Sequence, residues 1–319
     1  MADYRTSIKT SKRWSESKFI LKLLIWIRAV RAPFFTASII PLALGMAIAW
    51  YEAQVFDPLL GIMTLISGVA IHAGTNLAND YFDEEADNIN EYYSPFNGGS
   101  RIIQNQILTS SNIIKASIAS YFVGVLLAIS LIFLTNGYLL ILFLVIAIGL
   151  GFFYTAIPVQ FSYHGMGEIA VFVGFGPLGV LSAYYIQLGH LNSFLPYFVS
   201  IPIAILIAMV LFLNEFQDFE PDLKASKRTL VVILGKKNSA KIYQIGLLLT
   251  YCSLFFIFLL LNLPLLVLLP VISFPLAVNI IKIVRVNYLN IGELLPANGQ
   301  TIALHFIFGL LMILGFVLA

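Results

Sequence analysis

The chain has 319 residues, of which 60% are hydrophobic and only 11% are charged, and its mean hydropathy is +0.92. This composition excludes an ordinary soluble domain and is typical of a protein that crosses a membrane several times. The net charge is only +2, and the single cysteine, Cys252, excludes an internal disulfide. We therefore expect a lipid bilayer around the chain and no nucleic-acid partner.

Residues 1–31 form a polar and basic leader that approaches the membrane. Lys18, Lys22 and Arg28 alternate there with Ile, Leu and Trp residues, a pattern typical of an interfacial helix. The leader has no short apolar run followed by small residues, so a cleavable signal peptide is not expected. The sequence predicts a cytoplasmic N-terminal segment over this range and a single membrane domain over 32–319.

The rest of the chain is a series of apolar segments. A helix needs about 20 residues to cross a hydrocarbon core of ~30 Å. Nine segments meet this requirement, at residues 33–51, 59–79, 112–134, 138–157, 168–189, 195–216, 241–262, 264–283 and 301–318. The predicted fold class is therefore all-α, a polytopic bundle of nine transmembrane helices with acidic loops on the cytoplasmic side.

The 18 lysine and arginine residues test this arrangement. If nine spans are correct, every one of these basic residues precedes the first span or follows the second, sixth or eighth span. All 18 then lie on one side of the membrane. The positive-inside rule assigns that side to the cytoplasm. We expect an integral protein of the cell's inner or plasma membrane, with the N-terminus in the cytoplasm and the C-terminus outside.

Acidic side chains are concentrated where the second span ends. They are Asp80, Asp83, Glu84, Glu85, Asp87 and Glu91. Asp80, Asp83 and Asp87 stand at i, i+3 and i+7, so on a helix they share one face. Carboxylates at a membrane boundary are costly and are therefore functional candidates. Mg²⁺ is a fitting partner, since it prefers oxygen ligands, and the amides of Asn76 and Asn79 add neutral ones.

A second acidic pair closes the sixth span. Asp218 and Asp222 stand at i and i+4, and again share a helix face. Two such faces predict two Mg²⁺ ions that bridge a diphosphate between them. The alternative is a solvated acidic surface, but the helical spacing and its repetition at two span ends favour metal binding.

Basic residues beside both clusters predict an anion clamp. Arg101 ends the sequence NGGSR, whose glycines let backbone amides approach an anion closely. Lys224, Lys227 and Arg228 follow the second pair. A diphosphate held in this way becomes a good leaving group, because its developing charge is stabilised. For Lys227 and Arg228, plain positive-inside topology is the alternative interpretation. Arg31, Ser100 and Asn214 complete the predicted substrate-binding set.

The connection between the fourth and fifth spans, GFFYTAIPVQFSYHGMGE, is polar and has no Lys or Arg. Its Tyr154, Tyr163, His164 and Glu168 are predicted to bind or deprotonate an aromatic acceptor. The ring of Tyr154 is also a candidate to shelter a carbocation. Glu168 has a second interpretation, as a favourable charge near the N-terminus of a helix.

At these stretches the sequence resembles the UbiA superfamily of intramembrane aromatic prenyltransferases. The family's NDxxDxxxD motif is matched by Asn79, Asp80, Asp83 and Asp87, and its DxxxD motif by Asp218 and Asp222. The closest resemblance is to MenA-like 1,4-dihydroxy-2-naphthoate polyprenyltransferases, through NGGSRIIQ, FYTAIPVQFSYHGMGE and ASKRTLVVILG. Glu215 departs from that subfamily, which often has a neutral Asn at this position.

The resemblance implies Mg²⁺-dependent transfer of a polyprenyl group from its diphosphate to 1,4-dihydroxy-2-naphthoate, with decarboxylation, in menaquinone biosynthesis. Other acceptors remain open: 4-hydroxybenzoate, another quinone precursor or a lipid-precursor alcohol. A rival from another class is an ion-coupled secondary transporter, since carboxylates in polytopic bundles often bind coupling ions. Transporter sites tend to lie near the membrane midplane, whereas these clusters lie at span ends, which favours the enzyme.

Overall fold

The computed structural model describes residues 20–90, 93–94 and 96–319, and this part of the chain is helical. A first helix, α1, covers residues 20–29. The helices that follow are α2 Thr36–Ala53, α3 Pro58–Phe82, α4 Glu84–Ile89, α5 Ser110–Thr135, α6 Leu139–Phe152, α7 Gly167–Val173, α8 Gly179–Leu188, α9 Leu195–Lys224, α10 Leu230–Leu234, α11 Lys236–Leu260, α12 Phe274–Asn287 and α13 Ile291–Leu318. A π-helical turn, Gly174–Leu178, joins α7 to α8, and a 3-10 segment, Leu265–Ser273, leads into α12.

Within the described residues, eight helices are long and apolar enough to cross a membrane. They are α2, α3, α5, α9, α11 and α13, the continuous unit of α7 and α8, and the unit that ends with α12. The fourth expected span, 138–157, differs, because its helix α6 has only 14 residues, or ~21 Å. The sequence explains this early end: Gly149 and Gly151 weaken the helix, and Pro158 disfavours its continuation.

The outer surface of the bundle is apolar. Phe133 on α5 is 75% exposed and Leu265 is 76% exposed, and many other Leu, Ile and Phe side chains are also exposed. In water such a surface would be unfavourable, whereas lipid chains cover it without cost. The molecule is therefore an integral membrane protein with several spans.

Glycine and serine residues let the helices approach one another closely. A Cβ atom on Gly45 of α2 would lie 2.2 Å from the carbonyl oxygen of Val180 on α8, so only glycine fits there. Between α3 and α5, the hydroxyl of Ser67 donates to the carbonyl oxygen of Gly124 at 2.8 Å. Such contacts hold helices together in lipid, where apolar surface alone gives little preference for helix over lipid.

The bundle has two distinct ends. Arg31, just before α2, contacts Asp80 near the end of α3, and Asn90, just after α4, contacts Asp218 near the end of α9. At the other end of the bundle, Tyr51 near the end of α2 stacks edge-on against Phe316 near the end of α13. Both acidic motifs therefore lie at the same end of the bundle as the start of α2.

Candidate functional site

Asp80, on the last turn of α3, is the most deeply buried acid of the first motif, with 3% exposure. Its Oδ1 accepts hydrogen bonds from the Arg31 guanidinium at 2.5 Å and from the backbone N–H of Ser100 at 3.2 Å. Its Oδ2 is buried and has no hydrogen-bond partner among the described residues. A carboxylate near a helix C-terminus also meets the negative end of the helix dipole. Asp80 therefore has an unfilled requirement for positive charge.

Arg31 supplies part of that charge. Burial acts to lower the pKa of its guanidinium, but the charges of Asp80, Asp87 and Asp83 outweigh burial and raise the pKa above its usual value. The sequence prediction that Arg31 belongs to the site agrees with this position. Its side chain lies beside the acidic residues of the first motif.

Asp87 lies on the separate helix α4, because α3 ends at Phe82 and the chain turns at Asp83. The single helical face predicted for the first motif is therefore interrupted. A Cβ on Gly99 would lie 2.1 Å from the Asp87 Oδ2, and the φ angle of Gly99 is +74°, so glycine is required there. Burial, together with the charge of Asp83, raises the pKa of Asp87 to about 7.

Lys227 connects the two acidic motifs. Its Nζ lies 3.1 Å from the Asp83 Oδ2 and 4.0 Å from the Asp222 Oδ1. Burial acts to lower the pKa of this lysine, but the charges of Asp83 and Asp222 outweigh it and raise the pKa well above its usual value. The hydroxyl of Tyr163 donates to the Asp83 Oδ1 at 2.8 Å, and the Tyr163 ring lies 5.2 Å from the ammonium group.

Neutral amides hold the remaining acid of the second motif, Asp218. Its Oδ1 accepts hydrogen bonds from the side-chain amides of Asn90 at 2.7 Å and Asn97 at 2.6 Å. No salt bridge reaches Asp218 in the part of the chain that the structure describes. Sequence reasoning missed both asparagines, although two polar residues in the loop after an acidic helix end were a usable signal.

The residues present fit Mg²⁺ together with a phosphate ligand. Five carboxylates, those of Asp80, Asp83, Asp87, Asp218 and Asp222, are matched by two cations, Arg31 and Lys227. No three acidic, histidine or cysteine side chains among the described residues converge into a site made of protein ligands alone. Mg²⁺ does not need such a site, because it usually takes one or two carboxylates plus water and substrate phosphates. The unpartnered, buried Oδ2 of Asp80 fits this requirement.

An apolar cavity of about 310 Å³ adjoins the acidic cluster. Its polar end is lined by Arg31, Asn76, Asn79, Tyr154 and Asn214, and its apolar end by Leu131, Leu140 and Ile186. The cavity follows α3 from Asn79 to Thr64, a distance of ~22 Å at 1.5 Å per residue. Thr155, which sequence reasoning did not single out, donates to the Asn79 Oδ1 at 3.0 Å and so fixes that amide.

Four of the predicted site residues have other positions. Lys224, Arg228 and His164 are exposed, and no ion pair joins them to the acidic motifs within the described residues. Arg101 donates from Nη1 to the backbone carbonyl of Asp87 and stacks over the ring of Tyr93 at 4.3 Å. Its guanidinium therefore braces the loop instead of facing the carboxylates.

Glu168 is buried near the start of α7, with 7% exposure, and interacts with the buried carboxyl group of Glu215 on α9. No hydrogen-bond donor in the described part of the chain reaches either oxygen of Glu168. The Glu215 Oε2 accepts from the backbone N–H of Val231 at 3.3 Å. Neither glutamate lines the apolar cavity, but Tyr154, which does, lies against Gly167 next to Glu168. Glu91 lies outside the described residues.

Comparison with known proteins gives a family and a fold. The model of the UbiA prenyltransferase family matches residues 38–293. UbiA prenyltransferase domain-containing protein 1 of Xenopus tropicalis is 29% identical over 305 residues, covering 95% of this chain and 84% of that protein. The 2-carboxy-1,4-naphthoquinone phytyltransferase of Synechocystis sp. is 28% identical over 297 residues, covering 92% of each chain.

A solved structure shares the fold. The UbiA homolog from Archaeoglobus fulgidus, bound to DMAPP and Mg²⁺, superposes with a TM-score of 0.59 at 17% identity, covering 90% of this chain and 98% of that one. The family match spans most of the chain and includes both acidic helix ends. This chain therefore belongs to the UbiA prenyltransferase family and is a membrane-embedded enzyme of prenyl transfer.

Proposed function

We propose that this enzyme transfers a polyprenyl group from a polyprenyl diphosphate to 1,4-dihydroxy-2-naphthoate, with decarboxylation, in menaquinone biosynthesis. One observation carries the proposal: two acidic helix ends, bridged by Lys227, lie at the mouth of an apolar cavity about 22 Å long. A charged end suits a diphosphate with its metal ions, and an apolar cavity suits a prenyl chain. The Synechocystis relative is a 2-carboxy-1,4-naphthoquinone phytyltransferase, which supports this class of acceptor.

In this proposal the two acidic motifs hold two Mg²⁺ ions that bridge the diphosphate. Asp80, Asp83 and Asp87 are the ligands on one side, and Asp218 and Asp222 on the other. When bound, Mg²⁺ supplies positive charge that stabilises the departing diphosphate. The Archaeoglobus homolog has the same fold and is bound to DMAPP and Mg²⁺. Its ligands support this assignment.

The chain's own cations and amides hold the phosphate oxygens. Arg31 and Lys227 lie among the carboxylates, and charge-assisted hydrogen bonds from such groups to phosphate are strong. The backbone N–H of Ser100 points to the same place, because it already donates to the Asp80 Oδ1. Asn79 and Asn214 contribute amide groups at the polar end of the cavity.

The prenyl chain lies in the apolar cavity, and its first carbon lies near Tyr154. The allylic C–O bond breaks, and its electron pair leaves with the diphosphate. The face of the Tyr154 ring stabilises the cation that remains. The ring carbon that bears the carboxylate attacks this cation. Carbon dioxide then leaves, and the electron pair of the broken C–C bond restores the aromatic ring, so no outside oxidant or reductant is needed.

Tyr163, Glu168 and Glu215 are proposed to bound the acceptor side of the site. Tyr163 is already oriented by its hydrogen bond to Asp83. Glu168 on α7 and Glu215 on α9 are both buried, with 7% and 6% exposure, and their carboxyl groups interact with each other. A carboxyl pair of this kind suits an acceptor that carries hydroxyl groups.

We further propose nine crossings, with the site on the cytoplasmic side. The start of α2 lies at the acidic end of the bundle, and the end of α13 lies at the opposite end, near Tyr51. An odd number of crossings is needed for this, which favours counting α6 together with residues 153–155. The lysines and arginines then lie on the acidic side, and the positive-inside rule makes that side cytoplasmic.

The test uses purified protein in detergent with Mg²⁺ and geranylgeranyl diphosphate. Dihydroxynaphthoate and 4-hydroxybenzoate are offered side by side. We expect prenylated naphthoquinol and one equivalent of CO₂, with activity abolished by EDTA and restored by Mg²⁺. Activity on another acceptor alone would keep the metal site and overturn the naphthoate. Absence of diphosphate release with every acceptor would contradict the proposal.

A further inference from the structure

Three side-chain amides form a continuous hydrogen-bonded chain between α9 and α13. The Gln217 Nε2 donates to the Asn298 Oδ1 at 2.7 Å. The Asn298 Nδ2 in turn donates to the Asn214 Oδ1 at 2.8 Å. Gln217 and Asn298 are each only 1% exposed. Two buried amides within membrane-spanning helices are unusual, because an apolar residue would pack there without a requirement for hydrogen bonds.

This amide chain has a direction. In each link an NH₂ group donates to the oxygen of the next amide, so both links point the same way. The chain ends at Asn214, whose oxygen is occupied by Asn298 and whose NH₂ group is left for other partners. Asn214 lines the polar end of the cavity, beside Arg31 and Asn79. The far end of the chain reaches the loop after α4, where the Ser94 hydroxyl hydrogen-bonds the Gln217 Oε1 at 2.9 Å.

The direction matters because an asparagine can present either an acceptor or a donor to a ligand. The two ends of the amide have nearly the same shape, so packing alone does not choose between them. An anionic headgroup needs the donor. A fixed N–H group also needs no reorientation when the anion arrives, and preorganised donors of this kind are the effective ones.

We propose that Asn298 and Gln217 are positioning residues that turn the side-chain N–H of Asn214 toward the diphosphate headgroup of the prenyl donor. This inference rests on the proposed function, since it takes a prenyl diphosphate as the ligand. It adds a residue of the last helix, Asn298, to a site whose other parts come from the first three quarters of the chain. A purely structural role would require only that the amides hold α13 to α9.

The test measures the affinity of the detergent-purified protein for geranylgeranyl diphosphate with Mg²⁺, by calorimetry and without acceptor. Asn298→Leu removes the donor to Asn214, and Asn298→Asp removes it while keeping the shape and the acceptor for Gln217. We expect each to weaken binding about ten-fold, as for one hydrogen bond to a charged group. The matched control is Thr301→Val, one turn further along α13. It breaks the buried hydrogen bond to the Tyr243 hydroxyl at 2.6 Å but not the amide chain.

A double-variant cycle separates positioning from structure. If Asn298 acts through Asn214, then Asn214→Leu combined with Asn298→Leu should bind no more weakly than Asn214→Leu alone. Wild-type affinity in Asn298→Asp, a loss in Thr301→Val as large as in Asn298→Leu, or independent losses that multiply in the double variant would each overturn the inference. If the wild-type protein binds no prenyl diphosphate, the proposed function fails and this inference with it. Normal wild-type binding with unchanged variants refutes the inference alone.

Discussion

The carboxylates at the two acidic helix ends, those of α3 and α9, have different kinds of partner. At the end of α3, Asp80 and Asp83 are each paired with a cation, from Arg31 and Lys227. At the end of α9, Asp218 is held by the neutral amides of two asparagines, and Asp222 shares Lys227 at the longer distance of 4.0 Å. At the first end, two of the three carboxylates of the motif therefore have an ion pair within the chain. At the second end, Asp218 is oriented by amides and has no ion pair among the described residues.

This difference indicates what each end contributes. Ion pairs with partly buried partners are stable when both partners stay in place, and leave a costly unpaired charge when one is removed. Neutral amides orient a carboxylate without cancelling its charge, which leaves it available to a metal ion. We therefore expect the α9 end to depend more on Mg²⁺, and the α3 end to depend more on Arg31 and Lys227.

The largest effect is expected when a carboxylate of either motif is removed. Asp83→Ala and Asp218→Ala should each lower the rate of prenyl transfer roughly 10²- to 10³-fold, because each deletes a ligand for the charge that develops on the diphosphate. The measurement is product formation at saturating Mg²⁺. The exposed acids Glu85 and Glu220, close in sequence to the two positions, provide the matched controls Glu85→Ala and Glu220→Ala, which should keep wild-type rates.

The midpoint of thermal unfolding, Tm, measured without Mg²⁺, tests the difference between the α3 and α9 ends in a second way. Asp83→Ala leaves Lys227, whose side chain is 15% exposed, without its nearer partner, so Tm should fall. Asp218→Asn leaves no cation unpaired and keeps an oxygen for the two amides, so Tm should stay the same or rise. An equal fall of Tm in both variants would contradict the difference between the two ends.

The next largest effect is expected at Lys227, the one described cation that contacts both motifs. Lys227→Met should lower the rate roughly 10- to 100-fold, the range for a hydrogen bond to a charged group. Lys237→Met, at an exposed position of α11, is the control. Lys224→Met tests whether Lys224 has the catalytic role that the sequence predicts. In the structure its side chain is exposed, which favours no such role. A loss in Lys224→Met equal to that in Lys227→Met would favour the sequence.

Much of this site could be predicted from spacing alone. The i, i+4 relation of Asp218 and Asp222 holds because α9 continues to Lys224, well past the apolar run that ends near residue 216. The relation within the first motif holds less well, since α3 ends at Phe82 and α4 begins at Glu84. Nothing in the spacing marks that break, because an acidic run has no apolar periodicity from which a change of helix direction could be recognised.

The residues that sequence reasoning missed come from distant parts of the chain. Asn298 lies 84 residues from Asn214, and α13 begins at Ile291, ten residues before the expected span. Thr155 and Asn79 are separated by 76 residues. Contacts of this kind depend on which helices are neighbours, and hydropathy locates apolar helices along the chain without giving their arrangement. The same holds for Arg101, whose proximity in sequence to the acids does not fix the direction of its guanidinium.

A smaller effect is expected when the amides that hold Asp218 are removed. Asn97→Leu deletes the hydrogen bond of 2.6 Å to the Asp218 Oδ1. The carboxylate stays in place through Asn90 but is less well oriented, so the Mg²⁺ concentration for half-maximal activity should rise about ten-fold. The rate at saturating Mg²⁺ should change little. A lower rate that added Mg²⁺ does not restore would show that Asn97 acts on something other than the metal ligand.

The smallest effect is expected at Arg101. Its contacts are with the Asp87 backbone and the Tyr93 ring, so Arg101→Ala should reduce the rate only roughly two- to five-fold, the equivalent of one exposed cation–π contact. Arg31→Ala removes the direct partner of Asp80 and should reduce it much more. Both variants are assayed for KM of the prenyl diphosphate. If Arg101→Ala raises that KM as strongly as Arg31→Ala, then Arg101 reaches the diphosphate after the substrate binds. For this, the loop after α4 must rearrange over the acidic end of α3.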